Sequence, residues 1–540
     1  MRAGSVKRVG AEEARRQVHG SGEIAFLDVR EAGQFGEGHA LFAIPCAYSR
    51  LEARVPDLIP RLTVPVLLVD DGDGIAERAG ARLVDMGYSD VALIDGGMPA
   101  WAAAGFPVYK GVNVPSKVLG EIAEGIWHPK MITPEELAAW KAQDRSFQFY
   151  DARPPSEYAK MRVPGAECLP NGELAHRLPA LADGETPIVI TCAGRTRGII
   201  GAIGVMLAGH AGPVMALENG TQGWALSGGK LERGNRAAPY PVLSEAQRDE
   251  SRDTAMTLVR KYGLETADPA RVEALLAEPD ATTYLLDVRS TEEAAGDPIP
   301  GAVHALSGQL VQATDQWVAV RNARIVLLDD GGMRAALAAF WLHQLGYQPY
   351  VCILDEAVRA TLKRLHAQGA AGTRPTLPKP KPLETIDPVR ARYCVALGEA
   401  VFVDMRGSLD YRKAHVEGAH WLVRPRAEHL AAAIAGKSVY LVADDIDAAA
   451  WAAEDLRKAG VKDIRVVEGG HAALAKAGSP IVETPGEPSD ADAIDHLFFV
   501  HDRHDDNLEA SRRYLEWETG LIAQMDAVEK ADYRITAPNA

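Results

Sequence analysis

Ile188-Val189-Ile190-Thr191-Cys192-Ala193-Gly194-Arg195-Thr196-Arg197 runs directly into Gly198-Ile199-Ile200-Gly201-Ala202 and a helical pattern that continues towards Leu207. A β-branched run, a short loop containing glycine and an apolar helical stretch read as strand, tight turn and helix. A thiol in that turn lies at a helix N-terminus. Unpaired backbone N–H groups and the helix dipole stabilise an anion there, which predicts a lowered pKa for Cys192. Gly194 has no Cβ, so the loop can curl its amides inwards as an anion-binding nest, and Arg195 and Arg197 add positive charge.

The chain repeats itself around this stretch. Hydrophobic-hydrophobic-Asp-x-Arg occurs four times, as Phe26-Leu27-Asp28-Val29-Arg30, Phe149-Tyr150-Asp151-Ala152-Arg153, Leu285-Leu286-Asp287-Val288-Arg289 and Phe402-Val403-Asp404-Met405-Arg406. Each copy leads through Gly38-His39, Gly165-Ala166, Gly301-Ala302 or Gly418-Ala419 to a second apolar strand, at Val66–Val69, Ile188–Thr191, Ile325–Leu328 or Val439–Val442. A helix and a third strand follow. Short apolar strands alternating with helices predict parallel sheets with helices on both faces, so the fold class is α/β with four tandem domains. The expected division is 1-112, 128-236, 264-368 and 383-484, with a helical tail over 485-540.

The linkers agree. Pro115 to Pro129 separates the first two copies, a charged helical connector spans Leu243 to Tyr262, and the proline-rich segment Thr373 to Pro382 is a stiff spacer. In the tail, Asn507 to Val528 is helical by pattern, with Leu508, Tyr514, Leu515, Leu521, Ile522 and Met525 on one face. That face should pack on a domain or on a second subunit in a homodimer.

Strand, Cys-x-x-x-x-Arg loop and helix resemble the active-site loop of the rhodanese sulfurtransferases. The resemblance implies that Cys192 takes a sulfane sulfur from thiosulfate or a similar donor, becomes a persulfide and passes the sulfur to a thiol or cyanide. Ala193, Gly194, Arg195, Thr196 and Arg197 would bind the substrate, the two arginines holding its sulfonate. A soft thiolate attacking a sulfur–sulfur bond is the chemistry of thiol–disulfide exchange and needs no metal or organic cofactor. Related cysteine phosphatases and arsenate reductases carry arginine six positions after the cysteine; here Arg197 stands five after and the sixth is Gly198, which favours sulfur transfer.

Aligning the second strands puts Asp70, Asp329 and Ala443 or Asp444 opposite Cys192. None of these can carry a persulfide, and an aspartate would repel an anionic donor. One domain is therefore expected to be catalytic and three to have lost the nucleophile. A contrasting reading makes the whole chain a non-catalytic scaffold in which Cys192 is dispensable.

Cys46, Cys168, Cys352 and Cys394 lack CxxC spacing and read as packing thiols, although Cys168 shares the domain of Cys192. The recurrence of Asp-x-Arg in copies without a cysteine gives it a structural role, with Arg153 at the pocket rim. His501-Asp502-Arg503-His504-Asp505-Asp506 reads as a solvated helix start rather than a metal site. The formal charge of −16 leaves no basic stripe for nucleic acid. With no apolar run of membrane length and no signal-peptide core in Met1 to Arg8, a soluble cytoplasmic protein is expected.

Overall fold

In the computed structural model, which describes residues 6–181, 184–370, 375, 378–434, 436–504 and 507–538, each copy of the repeat forms its own parallel sheet. In the second copy the order is Lys130–Ile132, Val214–Leu217, Ile188–Thr191, Gln148–Asp151, Glu167–Cys168. Ile190 pairs with Ala216 on one side and Tyr150 on the other. A strand with neighbours on both edges and helices on both faces must be apolar throughout, and all four residues of Ile188–Thr191 are buried. The third and fourth copies repeat this order. The first does too, but its strand Ile24–Asp28 also pairs antiparallel with Val320–Arg321, contributed by the third copy.

The Asp-x-Arg signature has one geometry in all four copies. Arg153 Nε donates to Asp151 Oδ1 at 2.9 Å, while its Nη2 donates to the Met161 carbonyl eight residues on. Arg30, Arg289 and Arg406 do the same to Asp28, Asp287 and Asp404, and to the carbonyls of Gly38, Asp297 and Ala414. A buried charge-assisted pair thus ties each first strand to the end of the helix that follows, as the structural reading expects.

Copies two and three pack reciprocally. Helix Asn171–Leu181 lies on Met333–Gln344 of copy three, and Ser307–Gln312 of copy three lies on Thr196–Leu207. The contact is close because Gly172 and Gly308 face Ser307 and Asn171, where added Cβ atoms would come to 2.6 and 3.2 Å. Copies one and four meet through Arg424, which is buried and bonded to Glu52 at 2.6 and 2.8 Å and to Asp455 at 2.8 Å.

The connections are structured. Pro115 to Pro129, expected as a separator, is largely the helix Val114–Trp127, with Val118, Leu119 and Ala123 buried. The connector helix runs Glu245–Lys261 from a Ser244–Gln247 capping box. Of the stiff spacer, residues 373, 374, 376 and 377 lie outside the described residues. The tail forms Leu508–Thr519, Leu521–Gln524 and Ala527–Ala531; Tyr514, Leu515, Leu521 and Met525 of the expected face are buried, whereas Leu508 is exposed. No helix among the described residues is long and apolar enough to cross a membrane.

Candidate active site

Cys192 is the first residue beyond the central strand of its sheet, at the carboxyl edge where open α/β sheets place their sites. Helix Thr196–Leu207 begins four residues on and is buried nearly all round, between its own sheet and the helices Val114–Trp127 and Asn171–Leu181. Its fully buried Ile199 and Ile203 contribute about 1.5–3 kcal/mol each to holding that helix, and so the loop before it, in place. The amide of Thr221 donates to the Cys192 carbonyl at 2.8 Å. Gly220, at φ +55°, permits this approach, since a Cβ there would lie 2.3 Å from the same carbonyl oxygen.

The loop curls as expected: the amides of Gly194 and Gly198 point at Cys192 Sγ. The expected lowered pKa is not what the surroundings produce. Burial pushes the thiol up, the Arg197 guanidinium and the two amides pull against it, and Glu518 adds to the rise. Sequence reasoning weighed the helix terminus but not the walls. Cys192 is 2 % exposed because other parts of the chain close over it.

Each loop arginine already has a carboxylate. Arg197 forms a fork with Glu157, both distances 2.7 Å, and Nη1 also reaches Gln309 Oε1 at 3.4 Å. Burial pushes the Glu157 carboxyl up, but Arg197 outweighs it and holds the group at about 2. Arg195 is taken by Glu121 at 2.7 and 3.0 Å and by Glu124, both on helix Val114–Trp127. The sequence reading puts Arg195 on the substrate; the structure turns it to this helix instead, which lies across the loop because Gly120 lets it touch Thr196. Thr196 in turn donates from Oγ1 to Glu518 Oε1 at 3.0 Å. Glu518 is buried, and its other oxygen has no hydrogen-bond partner among the described residues. A Cβ on Gly194 would lie 3.1 Å from that oxygen.

Beside the loop lies a cavity of about 280 Å³. Ala193 and Arg197 line it, as do Arg153, Glu157 and Gln222 from the same copy; Gly194, Arg195 and Thr196 do not. Other parts of the chain contribute too, among them Lys117 on the inter-domain helix, Gln309 on copy three, and His501, Arg503 and Tyr514 in the tail.

Rhodanese-like domain models match residues 10–104, 133–227, 268–363 and 394–477. The chain belongs to the rhodanese-like family. A crystal structure of thiosulfate sulfurtransferase from Pseudomonas aeruginosa is 34 % identical and superposes with a TM-score of 0.87, over 98 % of this chain and 100 % of that one. Single-domain structures are matched over much less of the chain. The Alr3790 protein of Anabaena sp. is 21 % identical over 18 % of this chain and 92 % of its own, with a TM-score of 0.17. RPA3614 of Rhodopseudomonas palustris, a possible tyrosine phosphatase, is 23 % identical over 22 % and 93 %, with a TM-score of 0.19. No curated protein matches the chain.

The other rhodanese-like loops are filled from within. Asp70 accepts from the amides of Gly72 and Ala76, both at 2.9 Å, and Asp329 from those of Gly331 at 3.3 Å and Ala335 at 3.2 Å. These are the second and sixth residues on, the positions whose amides face Sγ after Cys192. The aspartates therefore occupy the rhodanese-like nest itself. In the fourth copy Ala443 stands at the position of Cys192 and the helix starts at Ile446, one residue sooner than after Cys192 or Asp329; Asp445 caps the helix through the Ala448 amide. Burial pushes the thiols of Cys46, Cys168 and Cys352 up to about 12, as suits packing thiols. Asp505 and Asp506 of the stretch expected to be a solvated helix start lie outside the described residues.

Sequence reasoning missed Glu121, Glu124, Glu157, Gln309 and Glu518. Glu121 and Glu124, three apart on one helical face, were the one local sign that a cation would dock there.

Proposed function

We propose that this chain is a sulfurtransferase working through Cys192. The observation that carries the reading is the nest. Of four equivalent loops, two hold a permanent carboxylate and one is a residue shorter with Ala443 at the cysteine position, while that of the second copy holds a sulfur facing the amides of Gly194 and Gly198 with Arg197 close by. The likeness to the Pseudomonas aeruginosa thiosulfate sulfurtransferase supports it.

In the first half-reaction the Cys192 thiolate attacks the outer sulfur of thiosulfate or a similar donor. The bond to the sulfonate sulfur breaks and sulfite leaves with the electron pair. The amides stabilise the resulting persulfide anion as an oxyanion hole would. A thiol or cyanide then attacks the outer sulfur and Cys192 leaves as thiolate, a ping-pong scheme that balances without a cofactor. Of the loop residues, Ala193, Gly194, Thr196 and Arg197 shape and charge the cradle; Arg195 supports it by anchoring the loop to Glu121 and Glu124.

Intact mass before and after thiosulfate tests the proposal. One added sulfur, absent from Cys192→Ala and discharged by cyanide as thiocyanate, is expected. No gain with thiosulfate, mercaptopyruvate or glutathione persulfide would sink it and favour the scaffold reading.

A further inference from the structure

The cavity beside the Cys192 loop, lined by Ala193 and Arg197 though not by Cys192 itself, is walled by cations that make no direct ion pair, although Glu157 feels the charge of Arg503 and Asp315 that of Lys117. Lys117 is 6 % exposed, and its ammonium lies 5.4 Å from the centre of the Tyr514 ring and 5.9 Å from that of Trp517. The Arg503 guanidinium sits 3.7 Å from the same Tyr514 ring, and its Nε donates to the Val500 carbonyl at 3.0 Å. Among the described residues neither meets a carboxylate within ion-pair distance. Lys160 stands exposed on the same wall. The one carboxylate lining the cavity close to Cys192, Glu157, is held in the fork with Arg197.

Elsewhere this chain pairs its buried cations: Arg153, Arg177, Arg334 and Arg424 all have carboxylate partners. A desolvated ammonium without a counter-charge is unfavourable, and a cation–π contact of about 0.5–2 kcal/mol offsets only part of that. A buried ammonium and a half-buried guanidinium on one ring suit a site that an anionic ligand completes. Size adds a second constraint. The cavity equals roughly nine water molecules at about 30 Å³ each, close to the lower end of small-molecule pockets and more than a compact dianion fills.

We propose that Lys117 and Arg503, from the inter-domain helix and the tail, form an anion subsite for the sulfur acceptor, a small organic thiol that carries carboxylates. This rests on the sulfurtransferase reading and extends it. The acceptor's thiolate attacks the outer sulfur of the Cys192 persulfide, the sulfur–sulfur bond to Cys192 breaks, and Cys192 leaves as thiolate, while the acceptor's carboxylates rest between the two cations. Acceptor choice is then set by residues outside the domain that holds the nucleophile.

The test uses the full chain, loaded with sulfur from thiosulfate and checked by mass, then discharged by mercaptosuccinate or by 2-mercaptoethanol, which has no carboxylate. Lys117→Gln and Arg503→Gln should each lower the mercaptosuccinate rate constant about tenfold more than the 2-mercaptoethanol one. Equal loss with both thiols, or none, would overturn the proposal, and so would a loss confined to loading by thiosulfate, which would assign the cations to the donor. Calorimetric titration with succinate separates the two hypotheses. Binding by the parent chain that Arg503→Gln abolishes supports the subsite even if no persulfide ever forms; absence of succinate binding in a chain that does load sulfur overturns the subsite alone.

Discussion

The Cys192 loop and the Asp329 loop face one another's domains across a reciprocal interface, and they differ in how their charges are settled. Arg197 and Arg334 occupy the same place, five residues after Cys192 and Asp329. Each is met by a glutamate from its own domain, Glu157 or Glu293. Each is also met by a residue from the opposite domain, and here they diverge: Arg334 receives Glu173 at 2.9 Å, Arg197 the neutral Gln309 at 3.4 Å. Arg334 additionally bonds Asp329 itself and Asp330, so its charge is over-answered; Arg334, Asp329 and Glu173 are fully buried, while Asp330 and Glu293 stay partly exposed. Arg197 has one carboxylate and keeps part of its field for the sulfur. Where the nest forms, its amides face an acceptor; a carboxylate fills that place permanently, and a thiol does so while staying reactive.

Four measurements press on that contrast. The largest effect is expected from Cys192→Asp, which copies the loops of Asp70 and Asp329. The variant should fold and melt within a few degrees of the parent while taking up no sulfur from thiosulfate by mass. A collapsed melting transition would show that the nests are not interchangeable. Next, Asp329→Ala leaves the loop amides of Gly331, Arg334 and Ala335 without their acceptor and Arg334 with only Glu173, Glu293 and Asp330, and should cost about 1–3 kcal/mol in urea unfolding at neutral pH. Asp329 and Glu293 are both held below the ordinary carboxylate range, Glu293 at about 2, where the pull of Arg334 outweighs burial. A depressed carboxyl stabilises the fold above its unfolded pKa and loses that contribution as pH falls through the folded value. The gap between variant and parent should therefore narrow from about pH 5 towards pH 2; a gap independent of pH would refute the electrostatic account.

Gln309→Glu sharpens the comparison by giving Arg197 the partner that Arg334 has. With its field shared between two carboxylates, the Cys192 thiol should titrate higher, and alkylation by neutral iodoacetamide should slow about three- to tenfold at pH 8, with little change well above the thiol pKa. The smallest effect belongs to Glu518→Gln, which removes one of the influences raising Cys192. Its alkylation profile should move to lower pH by a fraction of a unit. A shift in the opposite direction would mean that Glu518 acts through Thr196 rather than through its charge.

Much of this architecture can be read along the chain because it is written locally. Asp-x-Arg folds onto a carbonyl eight residues away, and strand, nest and helix around Cys192 are contiguous, so four domains and one thiol loop are visible without a structure. The settlement of charge is not local. Arg195 lies 74 residues from Glu121, Arg197 lies 112 from Gln309, and Thr196 lies 322 from Glu518. An arginine beside a cysteine looks free in a sequence because nothing there names the helix that will cross it. The direction of the Cys192 pKa failed for the same reason, since burial by distant segments outweighed the helix terminus. The pairing of Val320–Arg321 with another domain's strand is equally silent, as two residues carry no period.

The tail that walls the cavity also bears on biosynthesis. Glu518 follows Cys192 by more than three hundred residues. At the ordinary pace of translation, about 5–20 residues per second, the sulfur's own domain leaves the ribosome tens of seconds before the segment that shields it. During that interval Cys192 lacks Glu518, and the cavity beside its loop lacks the wall that Arg503 and Tyr514 supply. The same sulfur thus passes through two chemical environments in the life of one molecule, and electrophiles that trap cysteines would find the nascent chain before the finished one.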